Sequence, residues 1–228
     1  MQFQYDLNAL LPLDANNVAV ITNRILARPD SISQTYNPKN TPSEKLADLI
    51  DAVGRASSEA QGLSSPVTNF HKLAVSSHRL YMKVEGNKVI GYIKVGEKQL
   101  NYRHLDGKFS EISPVCVLDF FVYPNSQRKG YGREIFEAML AYEKTEARLM
   151  GYDRPSFKFK AFLARHYGLD RHVPQINHFV IFNQFFEIPS KENKYEQLNS
   201  KLLISLPVSE NKPKIEPAQS NLSKPCAK

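Results

Sequence analysis

The sequence predicts an α+β domain in which a mixed central β-sheet is flanked by helices. Two observations carry this expectation. Apolar residues switch repeatedly between the 3.6-residue period of a helix and the two-residue period of a strand. The segments run helix, several antiparallel strands, then strand–helix–strand–helix–strand, an order that does not suit a strictly doubly wound sheet.

Each element has its own local signal. Thr41-Pro42-Ser43-Glu44 is a capping-box start with proline at the first helical position. Leu46, Leu49, Ile50, Val53 and Ala60 recur at helical spacing, and Gly62 supplies a stop. His78–Val84 and Lys88–Val95 read as strands joined by a hairpin turn at Glu85-Gly86-Asn87. Residues 97–113 read as a third, more polar strand with a turn near Asp106-Gly107. Pro114–Tyr123 is nearly all apolar, as expected of a strand covered on both faces. A helix is expected from about Gly130 to Lys144, with Ile135, Phe136, Met139 and Leu140 on one face. A short strand then ends near Tyr152. A helix from Pro155 to Tyr167 presents Phe159, Phe162 and Leu163 and stops at Gly168, and Ile176–Phe182 reads as the closing strand.

The chain has 228 residues and 26.0 kDa, 42% of them hydrophobic and 23% charged, enough for a substantial core. Lys and Arg outnumber Asp and Glu by 30 to 23, for a net +7 and a pI near 9.3. That balance suits an anionic partner: nucleic acid, a phosphorylated cofactor, a membrane surface or an acidic protein. Two cysteines, Cys116 and Cys226, exclude a disulfide framework or a Cys-rich zinc site. The opening residues lack a basic, apolar leader pattern, and no apolar run approaches the roughly 20 residues needed to span a bilayer. A soluble protein of a reducing, intracellular compartment is expected. From Pro207 to Lys228 there are four prolines, four lysines and no aromatic residue, too little apolar surface to offset ordering. Residues 188–228 are therefore expected to form a disordered tail carrying +3 of the net charge, and residues 1–187 the folded domain.

The stretch Val115–Arg133 carries the chemistry. A buried strand runs into Gln127-Arg128-Lys129-Gly130-Tyr131-Gly132, where a helix begins. Glycines admit close approach and positive φ, and free amides at a helix start attract anions. Arg128, Lys129 and Arg133 add charges suited to a pyrophosphate. A dinucleotide-binding turn does not fit, since the pattern is G-x-G-x-x-I and the loop is too long. A Walker loop does not fit either, lacking Gly-Lys-Ser/Thr. A plain glycine turn with solvated charges stays open. The remaining reading is the Q/R-x-x-G-x-G/A acyl-CoA loop of GNAT acetyltransferases, which this stretch resembles.

Together with Phe3-Gln4-Tyr5-Asp6-Leu7, Ala60–Thr68, Asp153-Arg154-Pro155-Ser156, Val173-Pro174-Gln175 and Phe179–Phe182, the sequence resembles the α-tubulin N-acetyltransferase family from about residue 1 to 187. The resemblance implies a GNAT acyl-CoA N-acyltransferase fold with family-specific N-terminal additions. It implies an enzyme that uses acetyl-CoA, with no metal, to acetylate a lysine in the luminal loop of α-tubulin. By the same resemblance, residues 120–133 would cradle the pantetheine and pyrophosphate: Phe120, Phe121 and Val122 on the strand, then Gln127, Arg128, Lys129, Gly130, Tyr131, Gly132 and Arg133. Ser156, Lys158 and Arg165 would form a second cofactor segment. There Ser156-Phe157-Lys158-Phe159 departs from the more polar family sequence, and Arg165 stands where vertebrate members carry Lys. Microtubules would be the partner, in the cytoplasm, on the cytoskeleton and in cilia or axonemes, with no nucleic acid or membrane involved.

Acetyl transfer to lysine needs a neutral amine, and a lysine pKa near 10.4 leaves only about one amine in 2,500 neutral at pH 7, a deficit of roughly 4.6 kcal/mol. A general base is expected, and an N–H to hold the carbonyl oxygen, which the GNAT resemblance implies would come from the central strand. Asp153 resembles the family's base, but its place before a helix equally suits a cap. Cys116 resembles a supporting residue near the thioester, but within a buried strand it equally suits an inert small hydrophobe. Gln61 resembles a residue that orients the lysine or a water. Arg154 could face the acidic substrate or pair with Asp119. Lys94 and Lys98 could lie on the substrate side or be ordinary solvated strand charges, and the six histidines show no metal-ligand spacing. Other readings are a microtubule-binding protein with a degenerate acetyltransferase fold and a GNAT enzyme for other protein lysines. Nucleic-acid binding lacks a recognisable module.

Overall fold

Two runs of β-branched and aromatic residues flank Gly86-Asn87, and the chain reverses there with Gly86 at φ 55°. The computed structural model, which describes residues 1–26 and 41–187, pairs the flanking strands β2 (Arg79–Glu85) and β3 (Lys88–Glu97) antiparallel from this turn. Both are buried along nearly their whole length because both faces are covered.

Ahead of them lie α1 (Leu7–Leu10), β1 (Val18–Thr22), α2 (Asn23–Leu26), α3 (Pro42–Gln61) and α4 (Phe70–Ala74). After them come β4 (Leu100–Arg103), β5 (Phe109–Ile112), β6 (Val115–Val122), α5 (Tyr131–Glu143), β7 (Gly151–Asp153), α6 (Phe157–Tyr167) and β8 (Phe179–Val180). The main sheet has the order β1-β2-β3-β6-β7-β8, all antiparallel except β6 with β7. It is the mixed sheet expected, though β1 was not legible in the sequence. Residues 97–113 differ from expectation. They make no third strand of this sheet but a separate β4–β5 ribbon, since their polar alternation suits a ribbon with one exposed edge. The closing strand is only two residues long, and Ile176 is 86% exposed because it lies in the loop before it.

One face of the sheet presents Leu80, Met82, Val84, Tyr92 and Phe121 to α1, α3 and α4, which contribute Leu7, Leu49, Ile50, Val53 and Leu73. The other presents Tyr81, Ile93, Val95 and Val117 to α5 and α6, through Ile135, Phe136, Met139 and Leu163. Each fully buried aliphatic or aromatic side chain here is worth about 1.5–3 kcal/mol, so the sheet is clamped from both sides. α3 begins with the expected capping box of Thr41 and Glu44 and ends at Gly62 in the left-handed conformation. Ala60 is exposed, so the inward face of the last turn is carried instead by Ser57 and Ser58, both buried. The residues described up to Phe186 form one compact unit. The expected basic tail, 188–228, lies outside the described residues.

Two irregularities interrupt β6. Along β3–β6, Lys94 pairs with Asp119 but Val95 with Val117, so Leu118 is a bulge residue. Parallel pairing of β6 with β7 stops after Cys116↔Gly151 and Val117↔Tyr152, so among the described residues the last part of β6 has no strand partner on that side. On the face of the sheet covered by α3, Gly54 allows a close approach of backbones. A Cβ there would lie 1.9 Å from the carbonyl oxygen of Thr68, so α3 and the segment ending at Thr68 touch main chain to main chain.

Elsewhere in a helix, Gly→Ala stabilises by about 1 kcal/mol. At Gly54 the sign is expected to reverse, with a loss of about 1–3 kcal/mol from overpacking, read as a lower urea midpoint. A higher midpoint would show that the Thr68 segment is free to retreat.

Candidate active site

Asp119 is the one charged residue in the apolar run Pro114–Tyr123, and it is buried. A carboxylate out of water needs donors. Here they converge from three other segments. Thr68 Oγ1 donates at 2.6 Å and Tyr92 OH at 2.7 Å to Oδ2, while Ser57 Oγ and Gln61 Nε2, from α3, donate at 3.2 Å to Oδ1. Burial, with Asp119 beside it, raises the Tyr92 phenol pKa far above its ordinary value, so that hydroxyl stays a donor. Opposite Asp119 across the sheet, Lys94 is also buried, and its Nζ donates to the Val67 carbonyl at 2.7 Å. Burial lowers its pKa to about 8 against an opposing pull from Asp119. It is not the solvated strand charge the sequence suggested.

Asp119 and Gln61 of this cluster line a solvent-open cleft where β6 and β7 part. Val117–Phe120 form the floor, Gln61, Leu63 and Val67 one rim, and Asp153 to Ser156 with Phe159 the other. Gln61, Phe120, Asp153 and Ser156 are thus brought together. Both N–H groups of the Gln61 amide are committed, to Ser57 Oγ at 2.7 Å and to Asp119, so what it can offer a ligand is a carbonyl acceptor.

Asp153 closes β7, pairing with Phe179. It caps no helix: α6 starts at Phe157, and its cap is Ser156, whose Oγ accepts the Phe159 N–H at 3.2 Å. The reason is positional, since Asp153 stands four residues before the first helical one. Burial raises its carboxyl pKa above the usual range, opposed by Arg154, Lys98, Lys94 and His178. Arg154 does not pair with Asp119. It is exposed, at φ 41°, and stands 4.0 Å from Asp153. Cys116 lies outside the cleft lining. It is fully buried with Leu100, Tyr102, Leu118 and Ile181, and its thiol is so close to Gly151 that a Cβ there would lie 2.5 Å from the sulfur. Burial pushes its pKa up to about 12, against the Gly151 amide and Lys98. Such a thiol is no base near neutral pH.

At the other end of β6, Phe120 packs edge-on against Phe159 and Phe162, and a Cβ on Gly132 would lie 3.5 Å from its ring. Phe120 therefore links the cleft to the start of α5. Phe121 faces the opposite way, into the core with Tyr92 and Tyr123, because adjacent strand residues alternate. α5 begins at Gly130, in the left-handed conformation, with no side-chain cap. Arg128 and Lys129, just before this helix start, are both exposed, and an uncapped helix start beside two cations is an arrangement that attracts anions. Gln127 braces the loop by donating to the Val122 carbonyl at 2.8 Å. Arg133 is paired with Glu137 at 2.7 Å. The Tyr131 ring turns away from the loop to lie under Lys83. Val122 packs against the α5–α6 cluster, while Lys158 and Arg165 are exposed on α6. Sequence reasoning did not assign Asp119, Ser57, Thr68, Tyr92 and Lys94 to the site. The available signal was a lone charge inside each of two apolar strands, since a buried charge must have partners.

The family model described as "GNAT acetyltransferase, Mec-17" matches residues 3–210. The chain is 38% identical over 198 residues to the alpha-tubulin N-acetyltransferase of Tetrahymena thermophila, covering 86% of this chain and 48% of that protein. It is 39% identical over 193 residues to alpha-tubulin N-acetyltransferase 1 of Danio rerio, covering 82% and 62%. It is 36% identical over 207 residues to the corresponding protein of Trichoplax adhaerens, covering 84% and 85%. The chain thus spans about half to two thirds of the length of the first two.

Lys94 gives a pH-dependent signature. Its folded pKa lies below the unfolded value of 10.5, so between about pH 8 and 10.5 the unfolded chain binds the extra proton and stability rises with pH. Relative to Lys94→Met, the wild-type protein should gain about 3 kcal/mol at most over that window in urea unfolding. Parallel curves would place the ammonium in solvent.

Proposed function

The chain belongs to the GNAT acetyltransferase family of Mec-17, and on that premise we propose that it transfers the acetyl group of acetyl-CoA to a lysine side chain of α-tubulin in microtubules. The observation that carries this reading is the parting of β6 from β7 beside Asp153, which opens a cleft between the anion site at the start of α5 and the buried Asp119 cluster. The residues fit the cofactor. The uncapped first turn of α5, with Arg128, Lys129 and the braced Gln127 loop, suits the pyrophosphate, and the lane past Gly132 and Phe120 suits the pantetheine arm. Bound there, a thioester supplies an acyl group already activated, so no acyl-enzyme is needed.

The chain's own residues then have distinct tasks. The unpaired edge of β6 offers backbone amides to an acyl oxygen as it gains charge. Gln61 presents its carbonyl oxygen to the incoming ammonium, held in place by Ser57 and Asp119. Asp153 accepts the proton, directly or through a water. Its raised pKa brings it closer to the amine's than an ordinary carboxylate would be. Cys116 contributes packing behind the β6 floor. Leu63 and Val67 on the rim suit the aliphatic stem of the lysine. With tubulin as its partner, the protein works on the microtubule cytoskeleton.

Incubation with acetyl-CoA and assembled microtubules, followed by mass mapping of tubulin lysines, tests the reading: one α-tubulin lysine should be modified. CoA binding without modification would favour a binding protein with an inactive acetyltransferase fold, and modification of unrelated proteins alone would favour another lysine substrate. Asp153→Asn should lower kcat about 100-fold while CoA affinity holds. The wild-type rate should rise with pH through a carboxyl pKa above the ordinary range, and the variant should lose that limb. A variant retaining the full rate would assign the proton to another group.

A further inference from the structure

Lys83 is a second buried lysine, on the sheet face opposite Lys94, and the acetyl-transfer account gives it no task. Its Nζ donates to the Asn16 carbonyl at 2.9 Å, pairs with Glu134 Oε2 at 2.8 Å and lies 5.6 Å from the centre of the Tyr131 ring. Two of these three contacts are to the opening turns of α5. The other carboxylate oxygen of Glu134 leans toward the helix start: a Cβ built on Gly130 would lie 3.9 Å from it. A full negative charge therefore stands beside the uncapped amides where a pyrophosphate would bind. Such a carboxylate favours an empty helix start but repels an arriving anion. Burying a lysine is costly, and this one is placed where it takes up that charge.

We propose that Lys83 is a positioning residue for cofactor binding: through Glu134 and Tyr131 it fixes the start of α5 against the sheet and offsets the carboxylate that would otherwise oppose the cofactor's phosphates. The proposal rests on the acetyl-CoA reading of the cleft. It reaches a residue two strands away from the cleft floor, with no cofactor contact of its own.

A charge cycle tests it. Lys83→Met should raise the KM for acetyl-CoA and the calorimetric Kd for CoA about tenfold, with kcat changed less than about twofold, and the defect should shrink in high salt. Adding Glu134→Gln to Lys83→Met should restore CoA affinity to near the wild-type value, because the unopposed charge is gone. With acetyl-pantetheine, a donor without phosphates, the single variant should behave as wild type. A double variant as weak as the single one, or an equal loss with acetyl-pantetheine, would reduce Lys83 to packing and overturn the proposal. Glu134→Gln alone keeps the Asn16 contact and serves if Lys83→Met does not fold: CoA should bind several-fold more tightly, and unchanged or weaker binding also overturns it. Wild-type protein that does not bind CoA overturns the cofactor reading, and the role of Lys83 with it.

Discussion

A carboxylate can stay charged away from water only if the chain brings donors to it, and Asp119 takes its donors from segments distant in sequence. Thr68, Ser57, Gln61 and Tyr92 lie between 27 and 62 residues away from it along the chain. Satisfying one side chain therefore fixes α3, the Gly62–Thr68 loop, β3 and β6 relative to one another. The geometry around Gln61 follows, since its amide is oriented by Ser57 and Asp119 before any ligand arrives. The apolar core holds the layers together, but it leaves their sliding unresolved. The buried carboxylate supplies the register. Removing any one donor leaves a charge short of partners, which costs more than the bond itself contributes.

The parting of β6 and β7 works in the opposite sense, by leaving groups unpaired. Sheet edges are usually covered or blunted. Here the unpaired stretch of β6 faces a cleft bounded by Phe159, Phe120 and Asp153, so its amides meet a partly desolvated space. The two ends of this strand are also electrostatically unlike. Asp119 and Asp153 hold negative charge at the cleft, while Arg128, Lys129 and the first turn of α5 carry positive character past its far end. A ligand that is anionic at one end and must meet a cation at the other suits that polarity. The net +7 of the chain says nothing of this arrangement, which depends on where the charges are placed.

Much of the fold was legible because it rests on local signals. The capping box at Thr41, the turn at Gly86-Asn87 and the glycine start of α5 each announce themselves within four residues. The β4–β5 ribbon was misread because periodicity reports that a segment is a strand, not which strand it joins. The two-residue β8 was overestimated because apolar Ile176 and Phe179 look alike in sequence, although one is a loop residue. At the site, Gln61, Phe120 and Asp153 were legible through the family resemblance. The Asp119 cluster was not, because its donors share no spacing and converge only once the layers pack. Asp153 as a cap fails because α6 starts two residues later than Pro155 suggested, and Arg154 as the partner of Asp119 fails because its side chain is exposed while Asp119 is buried, which a sequence does not display.

The way the loop before α4 is held has a further consequence. Apart from the Thr68 hydroxyl on Asp119, its grip runs through the main chain: Lys72 takes the carbonyl of Pro66 at 2.6 Å, Lys94 that of Val67, and the Thr68 carbonyl abuts Gly54. Carbonyls are the same whatever residue bears them. The side chains of Leu63 and Val67 at the rim can therefore change without loosening the loop. Recognition and scaffolding are carried by different atoms of one short segment, so under the acetyl-transfer reading proposed above the lysine context accepted at this rim can drift over evolution, or be redesigned, while the distances within the cleft stay where they are.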